Sequence, residues 1–150
     1  MHTEAVADAP TSIDVDRKTV TRVAWASFVG TFIEFYDYFI YGAAAALIFP
    51  KLFFSGLSPV TASIVSFATL GVTFITRPLG AVIFGHYGDT IGRKTMLVLS
   101  LMIMGVATFL IGLLPTYEMI GVWAPILLVT IRLLQGVAVG GEWGGATTMI

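Results

Sequence analysis

Four long apolar runs, separated by short polar breaks, set the pattern of the chain. The first, Val23 to Phe49 (VAWASFVGTFIEFYDYFIYGAAAALIF), ends at Pro50-Lys51, and LFFSGLSP makes a short turn. The second, Pro59 to Phe84, leads into a polar cluster in which Gly85, Gly88, Asp89, Gly92, Arg93 and Lys94 lie close together. The third, Thr95 to Leu114, stops at Pro115, and TYEMIG connects it to a fourth run from Val122 onwards. At about 1.5 Å per residue, roughly twenty apolar residues cross a hydrocarbon core of about 30 Å. The pattern therefore predicts an all-α polytopic membrane protein with four transmembrane helices and short connections. Residues 1–22 read as a polar tail of mixed sign, and residues 23–150 as the membrane unit. The tail has no apolar core or small-residue cleavage site, so it is not a secretory signal.

Composition agrees with this reading. The chain is 57% hydrophobic and 11% charged, where soluble domains carry about 45–50% apolar and about 25% charged residues. A formal net charge of −1 gives no reason to expect a nucleic-acid partner. The absence of cysteine excludes a disulfide framework and thiolate metal ligation. Only His2 and His86 offer imidazole, so neither a metal site nor a cofactor is expected, and no Ser/His, Asp/Asp or metal constellation suggests an enzyme. The chain stops at Met149-Ile150 inside an apolar run, which suggests the front of a longer protein.

Basic residues set the expected orientation. Arg17, Lys18, Arg22, Arg93 and Lys94 flank one side of the spans and Lys51 the other. The positive-inside rule then puts the N-terminus and the Gly85–Lys94 connection in the cytoplasm.

Ionisable residues within the spans are the candidate chemistry, because each costs about 2.5–3.5 kcal/mol at a helix centre unless it faces a partner or a water path. Glu34 and Asp37 share one face of the first helix, and Tyr41 extends that stripe by a turn. Two carboxyls so close in low dielectric repel each other, which makes at least one a candidate proton acceptor. The alternative is that both pair with basic residues of neighbouring helices and hold the bundle together. Arg77 precedes Pro78, where a bend is expected. It either snorkels to the headgroups or faces a central cavity and holds an anionic group. Arg132, near the midplane and three residues before Gln135, needs a carboxylate, with Glu34 or Asp37 at similar depth. Glu142 either lines a cavity or meets water. Gly136, Gly140 and Gly144 recur at four-residue spacing, a small-xxx-small pattern that lets another helix approach closely. In the connection, Gly85, Gly88 and Gly92 suit backbone turns, and Asp89 either caps the next helix or pairs with Arg93. The glycines lack the GxxxxGK[ST] spacing of a phosphate cradle.

These motifs carry a resemblance. GHYGDTIGRK (Gly85 to Lys94) resembles the loop signature of the major facilitator superfamily, and RLLQG (Arg132 to Gly136) its fourth-helix motif. With GTFIEFYDYFIYG and RLLQGVAVGGEWGGA, the pattern is similar to the metabolite:H+ symporter family, whose members import dicarboxylates, oxoacids, shikimate and zwitterionic osmolytes. The resemblance implies a twelve-helix transporter of two six-helix halves in the inner or plasma membrane. This chain would supply the first four helices, and the missing C-terminal half would be its partner. It implies that Gly85, Asp89, Gly92, Arg93 and Lys94 form a cytoplasmic gate loop and that Arg132 serves proton coupling. Glu34, Asp37, Tyr41, Arg77 and Gln135 are then candidates for coupling and substrate contact. Thr90 departs from the superfamily pattern, which usually has a basic residue there.

The expected function is proton-coupled import of a small metabolite by alternating access. A uniporter or exporter on the same fold, or a non-transporting membrane sensor, stand as alternatives.

Overall fold

The computed structural model describes residues 17–147. Within them the chain is helical: α1 (Arg17–Leu47), α2 (Phe49–Leu52), α3 (Pro59–Ile91), α4 (Arg93–Leu113), α5 (Tyr117–Ile120) and α6 (Trp123–Thr147). Among the described residues, Pro59–Ile91, Arg93–Leu113 and Trp123–Trp143 are long and apolar enough to cross a membrane. The other long helix, α1, has 31 residues. It falls short of those three in hydropathy because Glu34, Asp37 and its tyrosines interrupt it.

Helix boundaries differ from the sequence expectation at both ends of the first half. Arg17, Lys18 and Arg22 lie inside α1 and do not precede it. Met1 to Asp16 and the Met149-Ile150 terminus lie outside the described residues. The connection around Gly85 to Lys94 is much shorter than expected. Gly85, Gly88 and Asp89 all belong to α3, and Arg93 already begins α4. Only Gly92, at φ +109°, breaks the helix. One left-handed residue reverses the chain here because glycine has no Cβ to clash. Asp89 does not cap α4, whose start has no side-chain capping hydrogen bond. Helix α3 also runs unbroken through Pro78. Beside this proline, α3 is tied to α6 by Thr76, whose Oγ1 donates to the Leu133 carbonyl at 3.2 Å.

Two devices shape the bundle. The first is close packing of α3 along α6. A Cβ at Gly80 would overlap the Val137 backbone, one at Gly136 would overlap Thr73 and Thr76, and one at Gly140 would overlap the Arg77 carbonyl. A Cβ at Gly141 would meet the Phe84 ring. Only glycine permits this approach, which replaces the hydrophobic drive absent in lipid with dense van der Waals contact. Gly144 lies in α6, but its surroundings are outside the described residues. The second device is an aromatic plug at the α2 end, where Tyr41, Phe49, Phe53 and Phe54 are buried with Ala45, Ile111 and Leu128. The Tyr41–Phe49 and Phe49–Phe53 rings meet edge to face at centroid distances of 4.9 Å and 5.3 Å. Ser66 ties α3 to α1 within this region, donating to the Ala45 carbonyl at 2.6 Å. Many large apolar side chains elsewhere point outward, including Phe28, Ile75, Val82 and Phe109, as a lipid-facing surface requires.

Gly140→Val should destabilise the protein by at least about 1–3 kcal/mol, because a branched side chain is forced onto the backbone of α3. Gly71→Ala, which meets nothing within 4 Å, should be neutral or stabilising by about 0.5–1 kcal/mol. Thermal unfolding in detergent checks the contrast. Equal melting temperatures would mean that the helices do not touch at Gly140.

Candidate functional site

Glu34 and Asp37, one helical turn apart on α1, are each held by a different arginine. Arg77 Nη2 of α3 lies 3.1 Å from Glu34 Oε1. Arg132 Nη1 of α6 lies 3.4 Å from Asp37 Oδ2, with side-chain exposures of 3% and 15%. Splitting the two carboxylates between separate cations offsets the repulsion that their spacing would otherwise impose. Arg77 therefore turns inward toward α1 and does not extend along the helix to the membrane surface. The Arg77 guanidinium carbon also lies 4.5 Å from the Phe74 ring centroid, and that of Arg132 lies 3.5 Å from the Tyr41 ring centroid. Cation–π contact of this kind is strongest where water is excluded.

Around Arg132 the polar groups close into a ring. Its Nη1 donates to Gln135 Oε1 at 2.6 Å, and Gln135 Nε2 donates to Thr108 Oγ1 at 2.8 Å. Thr108 in turn donates to Asp37 Oδ1 at 2.6 Å, and the Arg132–Asp37 contact closes the circuit. The donors run from Arg132 to Asp37, directly and through Gln135 and Thr108, so groups of α4 and α6 converge on the one negative charge that α1 supplies. Such a network is strong when complete and costly when one member is lost. Tyr41 frames it. Its hydroxyl lies 2.7 Å from Thr69 Oγ1. Since Thr69 spends its own proton on the Ser66 carbonyl, Tyr41 is the donor.

Glu34, Asp37, Arg77, Arg132 and Gln135 line a cavity of about 620 Å³. Its walls run from Ser27 and Gly30 on α1 to Asp37, from Thr73 to Asp89 on α3, and from Arg132 to Trp143 on α6. The ring sits at its inner end and the α3–α4 turn at its mouth, while the aromatic plug closes off the opposite side. At the mouth, Arg93 pairs with Asp89 at 3.6 Å, with side-chain exposures of 37% and 76%. A pair so exposed contributes little by itself. Lys94 is exposed, and Thr90 donates to the His86 carbonyl of its own helix.

The structure thus brings Glu34, Asp37, Arg77, Arg132 and Gln135 to one cavity, with Tyr41 packed behind Arg132. It sets Asp89 and Arg93 at the mouth, and uses Gly136 and Gly140 against α3. The sequence reading missed Thr108. Its signal was one of three hydroxyls (Thr95, Ser100 and Thr108) in an otherwise apolar run, placed by helix pairing at the depth of Asp37.

Comparison with known proteins fits this arrangement. The sequence pattern of the sugar (and other) transporter family matches residues 23–150. The chain belongs to that family, within the major facilitator superfamily. It is 56% identical to the shikimate transporter of Escherichia coli over 128 residues, 85% of this chain and 29% of the relative. It is 54% identical to a putative metabolite transport protein of Haemophilus influenzae over 130 residues, 87% of this chain and 30% of the relative. With the proline/betaine transporter of Escherichia coli it shares 41% over 136 residues, 91% of this chain and 27% of the relative. The chain spans less than a third of the length of these curated relatives. No solved structure matches it. The family and these relatives are transporters, not enzymes, and the chain is a multi-pass membrane protein.

Thr108→Val keeps the shape of the side chain but leaves Asp37 and Gln135 each short of one hydrogen bond, at a cost of about 1–3 kcal/mol. Arg132→Met, which strands a buried carboxylate, should cost about 3–5 kcal/mol. Unfolding midpoints of the purified variants, compared with wild type, check both. Equal losses for the two would show that Asp37 does not depend on the arginine.

Proposed function

We propose that the full-length protein containing this chain is a secondary active transporter of the cell inner membrane, importing a small metabolite together with protons by alternating access. The observation that supports it is the ring in which Asp37 is the shared acceptor of Arg132 and Thr108 at the inner end of the cavity. While Asp37 is ionised, Arg132 is neutralised internally. Adding a proton to Asp37 removes that charge and leaves a buried guanidinium in need of an anion. A substrate carboxylate then meets the need, so proton and anion enter as a neutral pair. Arg77, already turned toward the cavity, offers a second planar donor set for the same group.

Two of the relatives are named for shikimate and for proline and betaine. Proline and betaine carry a cationic nitrogen and shikimate none, but all bear a carboxylate. The substrate class proposed here is accordingly a carboxylate or oxoacid, or a zwitterionic osmolyte. Basic residues at the start of α1 and at Arg93-Lys94 support a cytoplasmic N-terminus, in which case the cavity opens to the cytoplasm. Rocking of this half against a second one would carry the site across the membrane.

Uptake of labelled mono- and dicarboxylates and betaines by the full-length protein in a transport-deficient cell tests the reading. Accumulation should rise at acid external pH, collapse with an uncoupler and be lost in Asp37→Asn. Uncoupler-insensitive flux in wild type and variant alike would make the protein a facilitator and Asp37 a packing residue. No flux of any of these compounds would favour an exporter or a sensor.

A further inference from the structure

The charges lining the cavity do not balance. Glu34 pairs with Arg77, Asp37 with Arg132 and Asp89 with Arg93. Glu142 of α6 lines the same cavity and has no ion-pair partner among the described residues. Its Oε2 is buried and has no hydrogen-bond partner among the described residues. The carboxyl is nevertheless seated on a specific feature, because a Cβ added at the buried Gly30 of α1 would lie 2.8 Å from Glu142 Oε1. Glycine at that position leaves room for the carboxyl head between α1 and α6. The charges sharing the cavity with it are Glu34 and Asp37 from α1, Arg77 and Asp89 from α3, Arg93 from α4 and Arg132 from its own helix. Every cation among them already has a carboxylate partner.

We propose that Glu142 is a second proton-binding carboxyl of this cavity, separate from the ring around Asp37. A carboxylate that is desolvated and unpaired is far costlier than a neutral acid, which can also donate one hydrogen bond. The step is the formation of one O–H bond on the Glu142 carboxyl, with the proton drawn from the solution to which the cavity opens. Its consequence is mechanical as well as electrostatic. The neutral acid rests against Gly30 and lets α1 and α6 stay close, whereas the ionised form repels Glu34 on the facing helix and draws water into the gap. Glu142 thereby couples protonation to α1–α6 contact near the cavity mouth, as Asp37 does at its inner end. The inference deepens the proton-coupling reading but is tested apart from it.

Infrared spectra of the full-length protein in detergent, recorded from acid to alkaline pH, detect the carbonyl stretch of a protonated carboxyl directly. The band assigned to Glu142 should be lost in Glu142→Gln and kept in Asp37→Asn. In Gly30→Ala, which crowds the seat, the same band should shift in frequency. The glutamine variant preserves the shape of the neutral acid. If it nonetheless fails to accumulate, Glu142→Asp should displace the band in frequency. Spectra that are unchanged in Glu142→Gln, or in Glu142→Asp where that variant is the one measured, would overturn the proposal. Failure of uncoupler-sensitive uptake would sink proton symport while leaving the infrared band in place, so the two failures are distinguishable.

Discussion

A guanidinium buried in a low-dielectric bundle must have its charge answered, and the arrangement of α1, α4 and α6 follows from how Arg132 meets that demand. Its side chain is only 3% exposed. Asp37 supplies the countercharge from α1, Gln135 supplies an acceptor from one turn along α6, and Thr108 links the two from α4. None of these groups is satisfied without the others. The ring therefore works as a register lock, because sliding any one helix by a residue would leave a charge or an amide without a partner. Lipid offers no hydrophobic drive between helices, so such polar closure and tight steric fit together decide which packing is unique.

The steric fit lies on an adjoining stripe of α6, since Gly136 and Gly140 follow Arg132 by four and eight residues. Gly136 and Gly140 place its backbone against Thr73, Thr76 and the carbonyl of Arg77, and Gly80 answers from α3. The positions of the two arginines are linked by this contact. Arg77 stands on the turn of α3 that touches Gly140, and Arg132 lies about two turns before Gly140 on α6. Each arginine then reaches back to α1, where Glu34 and Asp37 are likewise one turn apart. Two carboxylates on one helix face are thus read by two helices held at a fixed separation.

Much of the membrane organisation was legible in the sequence, because run length and the polar breaks report directly on what a bilayer requires. The partner choice of Arg132 was half legible: depth along the helices narrowed it to Glu34 or Asp37, but only helix rotation in the folded bundle selects Asp37. The connection at Gly85 to Lys94 was overestimated. Three glycines in eight residues look like turn chemistry, yet Gly85 and Gly88 sit in helical backbone and only Gly92 takes a left-handed conformation. Composition reports where a chain can bend, while packing decides where it does. Thr108 was invisible for a similar reason, since a hydroxyl among others in an apolar run becomes informative only once its neighbours across the bundle are known.

The closed end of the cavity bears on how a change at the ring would travel. Tyr41 is in contact with both parts: its ring face receives the Arg132 guanidinium at 3.5 Å, and its edge-to-face partner Phe49 belongs to the aromatic plug. Its hydroxyl is anchored on Thr69, which is itself bonded to α3. A cation held against a ring face loses that attraction steeply as it moves away. If Arg132 turned from Asp37 toward an incoming anion, it would leave the face of Tyr41, and the plug would lose a contact that holds its first ring in place. In the transport cycle proposed above, the displacement that frees the guanidinium for an anion would also loosen the plug, because Tyr41 touches both Arg132 and Phe49. Charge compensation at one depth is in this way mechanically connected to closure at another, through one aromatic side chain.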